Sequence, residues 1–221
     1  MLKSRFGPQT DRIIQRMLPF LARLRVRPDT LTLLGVAFSV AAAVAFAFGQ
    51  PLVAAFPLGF AGICDLIDGA VARAQGATSM AGAFLDSSMD RLSDVLVFGG
   101  IAFGMAAAGD LGGVALVLWT LGGSVMTSYT RARAERHLAE FNLGIMERGE
   151  RFVVLIAGAL FGFLTLALWI VAIGATITSV QRLVAARRLL LELERTGIDP
   201  TAAPDEAESQ VAEPVALTRE V

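Results

Sequence analysis

The chain has few charged side chains, one cysteine and one histidine. Charged residues make up 18% of its 221 residues and hydrophobic residues 55%, whereas soluble domains carry roughly 25% charged residues. The single cysteine, Cys64, excludes an internal disulfide framework and a cysteine-ligated zinc site. The composition excludes a disordered chain, a fibrous repeat and a typical cytosolic enzyme. It leaves a membrane protein or a small, very apolar domain.

Long stretches of the chain carry no charge at all. The longest are 31–64, 95–109, 111–130 and 152–181. A helix needs about 20 apolar residues to cross the ~30 Å hydrocarbon layer, and only helices or closed barrels satisfy every backbone group in lipid. The stretches are too long and too continuously apolar for the alternating strands of a barrel. They therefore predict membrane-spanning helices.

Turn residues divide these stretches into hairpins. Gly49-Gln50-Pro51 interrupts the first stretch, and glycines surround Asp110 between the second and third. The stretch 152–181 is too long for one crossing and short for two. A tight turn within 158–164 would divide it into two short arms, whose charged ends would lie in a polar cavity below the membrane surface.

Lysine and arginine are confined to alternate connections. They precede the first span, lie in the second and fourth connections and follow the last span, whereas the first, third and fifth connections contain none. By the positive-inside rule, this pattern predicts six transmembrane helices in the plasma membrane with both termini in the cytoplasm.

The predicted fold class is an all-α integral membrane protein, with three regions. Residues 1–28 form a cytoplasmic amphipathic helix on the membrane surface, because apolar side chains alternate with arginines over 7–24. Residues 29–196 form the six-helix transmembrane domain. Residues 197–221 are acidic and rich in small side chains, which predicts a disordered tail.

Five aspartates mark the second connection. Asp65 and Asp68 end the second span, and Asp86, Asp90 and Asp94 begin the third. Side chains three or four positions apart share a helix face, and the connection near 73–80 makes the two helices an antiparallel pair. The acidic faces are therefore expected to converge at the cytoplasmic end, where the active site would face the cytoplasm.

Four ionised carboxylates need a counter-charge. Mg²⁺ prefers hard oxygen ligands, and two such ions suit a pair of bridged phosphates. The alternative is that each aspartate caps a helix or pairs with Arg73 or Arg91. Asp94 lies one turn beyond Asp90, and we expect it to support the site rather than bind metal.

The segment Asp65-Leu-Ile-Asp68-Gly69-Ala-Val-Ala72-Arg73, followed by Gly82, Asp86 and Asp90 at fixed spacing, resembles the complete signature of the CDP-alcohol phosphotransferase (phosphatidyltransferase) family. The resemblance implies an enzyme with two metal ions, Mg²⁺ or Mn²⁺, and Asp90 as general base. The metal ligands would be Asp65, Asp68, Asp86 and Asp90. The residues implied to contact or make room for the CDP-diacylglycerol donor are Asp29, Thr32, Gly69, Ala72, Arg73, Ser79 and Gly82. Asp29 and Ser79 are also candidate N-caps of the first and third helices.

Five arginines are predicted to reach the same cytoplasmic opening. Arg131 and Arg133 follow the fourth span, Arg148 and Arg151 precede the fifth, and Arg182 ends the sixth. Arginine binds phosphate in a bidentate manner, so this group predicts a phosphorylated polyol acceptor. The alternative is ordinary positive-inside anchoring.

These arginines lie in segments that resemble elements of the bacterial phosphatidylinositol phosphate synthases. The segments are Tyr129-Thr-Arg131-Ala-Arg133-Ala-Glu135, Glu147-Arg148-Gly-Glu-Arg151 and Gln181-Arg182. The resemblance implies CDP-diacylglycerol as donor, inositol 1-phosphate (also numbered as the 3-phosphate) as acceptor, and a homodimer. No nucleic-acid partner is expected.

Three other functions are left open. A phosphatidylglycerophosphate synthase also has a phosphorylated acceptor, and a non-enzymatic cation transporter could use the carboxylates as its binding site. A membrane scaffold would use Gly100-x-x-x-Gly104 and Gly158-x-x-x-Gly162 as packing motifs. We expect Cys64 to be a packing residue and His137 to be solvated.

Overall fold

A computed structural model of the chain describes residues 27–75, 79–139, 141, 143–197 and 201. This part of the chain contains six helices and no strand. The helices are α1 (Pro28–Ala47), α2 (Pro51–Ala74), α3 (Met80–Ala107), α4 (Leu111–Ala134), α5 (Arg148–Leu160) and α6 (Leu164–Thr196). The amphipathic helix and the acidic tail predicted from the sequence fall almost entirely outside the described residues.

Three short turns join the helices in pairs, and each has a glycine in the left-handed region. Gly49, Gly109 and Gly162 have φ angles of 69°, 77° and 76°, a conformation that glycine adopts without steric cost. Pro51 then begins α2, where its missing N–H is not needed. The predicted turns at Gly49-Gln50-Pro51, at Asp110 and within 158–164 are thus confirmed.

The main helix contacts form a closed ring. α1 packs against α2 and α3, α4 against α3 and α6, and α5 against α2 and α6. Because successive helices run in opposite directions, the starts of α1, α3 and α5 share one end of the bundle with the ends of α2 and α4. The three short turns lie at the opposite end.

All six helices contribute to one apolar core. Its fully buried members include Leu58, Phe98, Val117, Leu155 and Leu168. Outside the core, large apolar side chains such as Phe56, Phe103 and Phe163 are more than half exposed. An apolar surface of this kind suits a protein surrounded by lipid.

Four helices are long and apolar enough to cross a membrane: Pro28–Ala47, Pro51–Arg73, Leu111–Ala134 and Leu164–Thr196. The third helix carries charged residues in its first half, and α5 has only 13 residues, or about 20 Å. The all-helical, membrane-integrated fold is therefore confirmed, and crossing by α3 and α5 stays a prediction.

Close helix packing explains two of the glycines in the predicted packing motifs. A Cβ on Gly100 would collide with the backbone of Ala43, and one on Gly104 with the carbonyl of Phe46. Both contacts join α1 to α3. Cys64 is buried beside Gly35 at the contact of α1 with α2, as expected for a packing residue.

Candidate active site

Three of the predicted metal ligands converge between α2 and α3. Asp65, Asp86 and Asp90 each offer a carboxylate oxygen, and the three oxygens lie within 4.8 Å of one another. Asp68 lies beside this group, is 5% exposed, and accepts a hydrogen bond of 2.9 Å from Thr32 Oγ1. The acidic faces of the two helices thus meet as the sequence predicted.

The carboxylates fit a divalent metal site. Asp86 Oδ1 is buried and has no hydrogen-bond partner among the described residues, although a buried carboxylate oxygen is costly without one. Oxygen donors at this spacing match the ligands that hard divalent cations take. Asp65, Asp86 and Asp90 are therefore positioned to hold a divalent cation, with Asp68 alongside.

Arg148 at the start of α5 forms ion pairs with two of these acids. Its Nη1 lies 2.7 Å from Asp65 Oδ1 and 2.7 Å from Asp90 Oδ1, and its guanidinium lies over the ring of Phe152. Asp90 Oδ2 also lies 3.6 Å from Arg91 Nη1. Pairing with arginine is thus part of the site, and the main partner is Arg148 rather than Arg73 or Arg91.

Asp94 links the acidic group to the arginines of α5. It is 4% exposed, its Oδ2 accepts a hydrogen bond from Arg151 Nη2 at 3.2 Å, and its Oδ1 lies 3.5 Å from Arg148 Nε. Arg151 is itself only 2% exposed. Asp94 is one turn from Asp90 and is not part of the three-carboxylate group, and its supporting role stays a prediction.

A cavity of about 190 Å³ opens beside the acids, between the starts of α1 and α3 and the end of α2. All seven predicted donor-contact residues line it, together with Asp68 and Asp86: Asp29, Thr32, Gly69, Ala72, Arg73, Ser79 and Gly82. A second cavity of about 10 Å³ is lined by Asp65, Asp68, Asp90 and Arg148, and is about large enough for one water molecule. Asp68 therefore lines both cavities.

The proposed helix caps have different outcomes. Ser79 caps α3, because its Oγ accepts a hydrogen bond of 3.0 Å from the backbone N–H of Gly82, and it also lines the larger cavity. Asp29 is not the N-cap of α1: Arg27 holds that position without a side-chain hydrogen bond, and Asp29 lies in the first turn. The reason is Pro28, whose fixed φ favours the first helical position.

Four of the five predicted acceptor arginines lie near one another. Arg148 and Arg151 share Asp94, and Arg182 is close enough to Arg131 and Arg151 for their charges to interact. Arg133 is separate from them. It is exposed and lines a different groove with Arg187 and His137, so the structure does not place it with the other four.

Arg182 is held by groups that the sequence did not indicate. It is 3% exposed, its Nε donates to the carbonyl of Leu143 at 2.5 Å, and its Nη1 donates to the carbonyl of Thr127 at 2.7 Å. Glu147 Oε1 lies 3.7 Å from its Nη2. Backbone carbonyls leave no signal in a sequence, whereas the carboxylate of Glu147, next to Arg148, is a visible signal for an arginine partner.

Comparison with known proteins gives a consistent result. The family model described as CDP-alcohol phosphatidyltransferase matches residues 25–190. The chain is 36% identical over 188 residues to an archaetidylinositol phosphate synthase of Pyrococcus horikoshii, covering 85% of this chain and 97% of that protein. It is 38% identical over 197 residues to a phosphatidylinositol phosphate synthase of Streptomyces avermitilis, covering 80% and 79%.

Solved structures agree with these relatives. The phosphatidylinositol phosphate synthase of Mycobacterium tuberculosis with CDP-DAG bound aligns with a TM-score of 0.69 and 34% sequence identity, over 79% of this chain and 94% of that one. A second structure of that enzyme, in complex with manganese and citrate, aligns with a TM-score of 0.66 and 34% identity, over 80% and 88%.

Proposed function

The chain belongs to the CDP-alcohol phosphatidyltransferase family, and we propose that it transfers the phosphatidyl group of CDP-diacylglycerol to inositol 1-phosphate (also numbered as the 3-phosphate). The products are phosphatidylinositol phosphate and CMP. The observation that carries this proposal is the position of the acids, between a cavity lined by the donor motif and a group of buried arginines.

The donor occupies the larger cavity in this proposal. Gly69 and Gly82 leave room there for the nucleotide, and Arg73 brings a positive charge to its phosphates. Thr32 orients Asp68 through its hydroxyl. The cavity lies at the end of the bundle opposite the short turns, so the nucleotide enters from one membrane surface while the acyl chains stay in the bilayer.

Asp65, Asp68, Asp86 and Asp90 are proposed to hold two divalent cations, with Mg²⁺ as the physiological ion and Mn²⁺ as a substitute. When bound, such ions neutralise the pyrophosphate and stabilise CMP as it leaves. The orphaned Oδ1 of Asp86 supports its assignment as a ligand. The manganese complex of the M. tuberculosis enzyme supports a metal requirement for this chain.

Asp90 acts as the general base. It accepts the proton of an acceptor hydroxyl, whose oxygen then attacks the phosphorus that carries the diacylglycerol, in line with the bond to the CMP oxygen. That bond breaks and CMP leaves with the electron pair. Arg148 and Arg91 hold the carboxylate of Asp90 from two sides, which fixes its direction for the proton transfer.

The acceptor phosphate is proposed to bind at Arg131, Arg148, Arg151 and Arg182. Buried guanidinium groups are costly unless paired, and Arg151 and Arg182 are almost fully buried with only one carboxylate partner each among the described residues. A phosphate dianion would give these guanidinium groups further negatively charged oxygen acceptors. Free inositol, which carries no charge, would not.

The membrane arrangement is also part of the proposal. We place 29–196 in the plasma membrane as six crossings with both termini and the active site on the cytoplasmic side, flanked by the surface helix 1–28 and the tail 197–221. The cation pattern supports this orientation. The short α5 can begin below the membrane surface because its first turn contacts the polar site. A homodimer is the proposed assembly.

The decisive experiment is an acceptor comparison with the purified protein. CDP-diacylglycerol and Mg²⁺ are supplied with inositol 1-phosphate, glycerol 3-phosphate, free inositol or serine in separate reactions, and CMP and the lipid product are measured. We expect CMP release and phosphatidylinositol phosphate only with inositol 1-phosphate. Product from glycerol 3-phosphate instead would identify a phosphatidylglycerophosphate synthase and contradict the proposed acceptor.

A further inference from the structure

The last helix continues well past the apolar part of its sequence. α6 has 33 residues, or about 50 Å, whereas the hydrocarbon layer is ~30 Å thick. Charged residues begin at Arg182, and the part of α6 beyond it packs against the segment after α4, through Leu138 and Phe141 on Ala186. The end of α6 is thus braced by the rest of the chain.

A groove of about 520 Å³ lies between this part of α6 and the end of α4. We call it the α4–α6 groove. The members that matter here are Tyr129 and Arg133 of α4 and Leu183, Arg187 and Leu191 of α6, and His137 and Glu194 also line it. An adjoining groove of about 840 Å³ shares Arg187 and Leu191 and adds Arg188, Arg195 and Glu192.

The cations of the α4–α6 groove are available to a ligand. Within the described part of the chain, neither Arg133 nor Arg187 lies in an ion pair. The two grooves together carry four arginines and two glutamates. This excess of positive charge favours an anionic ligand.

The same groove exposes apolar surface next to the cations. Tyr129 is 57% exposed and Leu183 59%, and Leu183 lies two residues beyond the uncharged stretch that ends at Gln181. Arg182, one residue away, instead points inward to the carbonyl of Thr127. One face of this part of α6 therefore directs Arg182 toward the other acceptor arginines. A second, amphipathic face is exposed on the outside of the bundle.

We propose that the α4–α6 groove binds an anionic phospholipid of the cytoplasmic leaflet, with its phosphate between Arg133 and Arg187 and an acyl chain along Tyr129 and Leu183. Guanidinium pairs bind phosphate oxygens well, and basic sites at the cytoplasmic ends of membrane helices attract anionic lipids. The leaflet rests on the orientation proposed above. The acidic segment 202–221 offers charge but few large apolar side chains, so it suits this groove less well.

The test measures lipid binding by the full-length protein with native mass spectrometry. Dioleoyl phosphatidylglycerol and dioleoyl phosphatidylcholine are the probes, and Arg133→Gln and Arg187→Gln are the variants. Arg136→Gln is the matched control. It removes the same charge, but Arg136 is exposed and does not line either groove. We expect the protein to bind phosphatidylglycerol in preference to phosphatidylcholine. The affinity for phosphatidylglycerol should be about tenfold lower in each of the two groove variants than in the control.

Three outcomes would overturn the proposal. An equal loss in Arg136→Gln would show attraction by general surface charge. Full displacement of the lipid by inorganic phosphate would show a site for free phosphate. Binding that appears only after deletion of 202–221 would show that the tail occupies the groove. None of these readouts uses CMP release, so they are independent of the proposed reaction.

Discussion

Asp94 Oδ2 lies 3.2 Å from Arg151 Nη2, and both side chains are almost completely buried. The two residues belong to α3 and α5, which are not neighbours in the ring of main helix contacts. The pair therefore connects opposite sides of the bundle, next to Arg148 of the site. It joins the helix that carries the proposed base to the helix that carries two of the acceptor arginines.

Replacing Asp94 should weaken binding of the acceptor and leave binding of the donor nearly unchanged. Asp94→Asn keeps the shape but removes the charge that balances Arg151, and breaking a buried pair costs about 3–5 kcal/mol. We expect KM for inositol 1-phosphate to rise by about tenfold or more and KM for CDP-diacylglycerol to change little. Steady-state kinetics with each substrate varied in turn will measure both.

The control for this experiment is Asp110→Asn. Asp110 caps α4 through the backbone N–H of Gly113, at the end of the bundle opposite the site, and asparagine caps a helix about as well as aspartate. Asp110→Asn should therefore leave both KM values and the thermal stability nearly unchanged. Equal changes in both KM values of Asp94→Asn would argue for a general structural role.

Replacing Asp90 should stop the chemical step. Asp90→Asn cannot accept the acceptor proton, and general bases contribute about 10²- to 10⁴-fold to rates, so kcat should fall by at least about a hundredfold. The melting temperature shows whether the variant is folded. Ser87→Ala is a control on the same helix, since Ser87 is exposed and its hydroxyl donates to the carbonyl of Phe84 within α3. Near-normal turnover by Asp90→Asn would refute the assignment of the base.

Replacing Asp86 should weaken metal binding even without substrate. Its Oδ1 is buried without a partner among the described residues, and an amide is a poorer ligand for a hard cation than a carboxylate. We expect the affinity for Mn²⁺, measured by electron paramagnetic resonance, to fall by about tenfold or more in Asp86→Asn. Unchanged Mn²⁺ affinity would remove Asp86 from the ligand set.

Removal of divalent cations by a chelator should stop CMP release by the unmodified chain, and added Mg²⁺ should restore it.

A methyl group at Gly82 should narrow the donor cavity. A Cβ there would lie 3.1 Å from Ser79 Oγ and 3.8 Å from Asp29 Oδ1, closer to Ser79 than side chains normally pack. We expect KM for CDP-diacylglycerol to rise roughly fivefold in Gly82→Ala, with KM for the acceptor unchanged. Gly122→Ala is the matched control, because a Cβ at Gly122 meets no atom within 4 Å.

A methyl group at Gly100 should loosen the contact between α1 and α3. It would collide with the backbone of Ala43, and overpacking of this kind typically costs about 1–3 kcal/mol. Gly100→Ala should therefore melt at a lower temperature in detergent than the unmodified chain. Gly99→Ala, whose Cβ would meet nothing within 4 Å, should melt no lower. Equal melting of the two variants would contradict the packing seen here.

The sequence was sufficient for the helices, their turns and the acidic group. Long uncharged stretches predict helices, and Gly49, Asp110 and Gly162 lie in turns because each signal acts within a few residues of the chain. The aspartates were predicted to share helix faces for the same reason, since a spacing of three or four positions is a local property of a helix. The predicted N-cap of α1, Asp29, was wrong by two positions, because Pro28 favours the first helical position and so makes Arg27 the N-cap.

The tertiary structure alone decided which charges meet. Arg148 contacts Asp65 from 83 positions away, Arg182 bonds carbonyls of Leu143 and Thr127, and Arg133 lies outside the group that includes Arg131. The spacing of residues along one helix predicts which side chains share a face. Which neighbouring helix that face contacts is set by packing between distant segments, such as Gly100 against Ala43. No local pattern in the sequence records this packing.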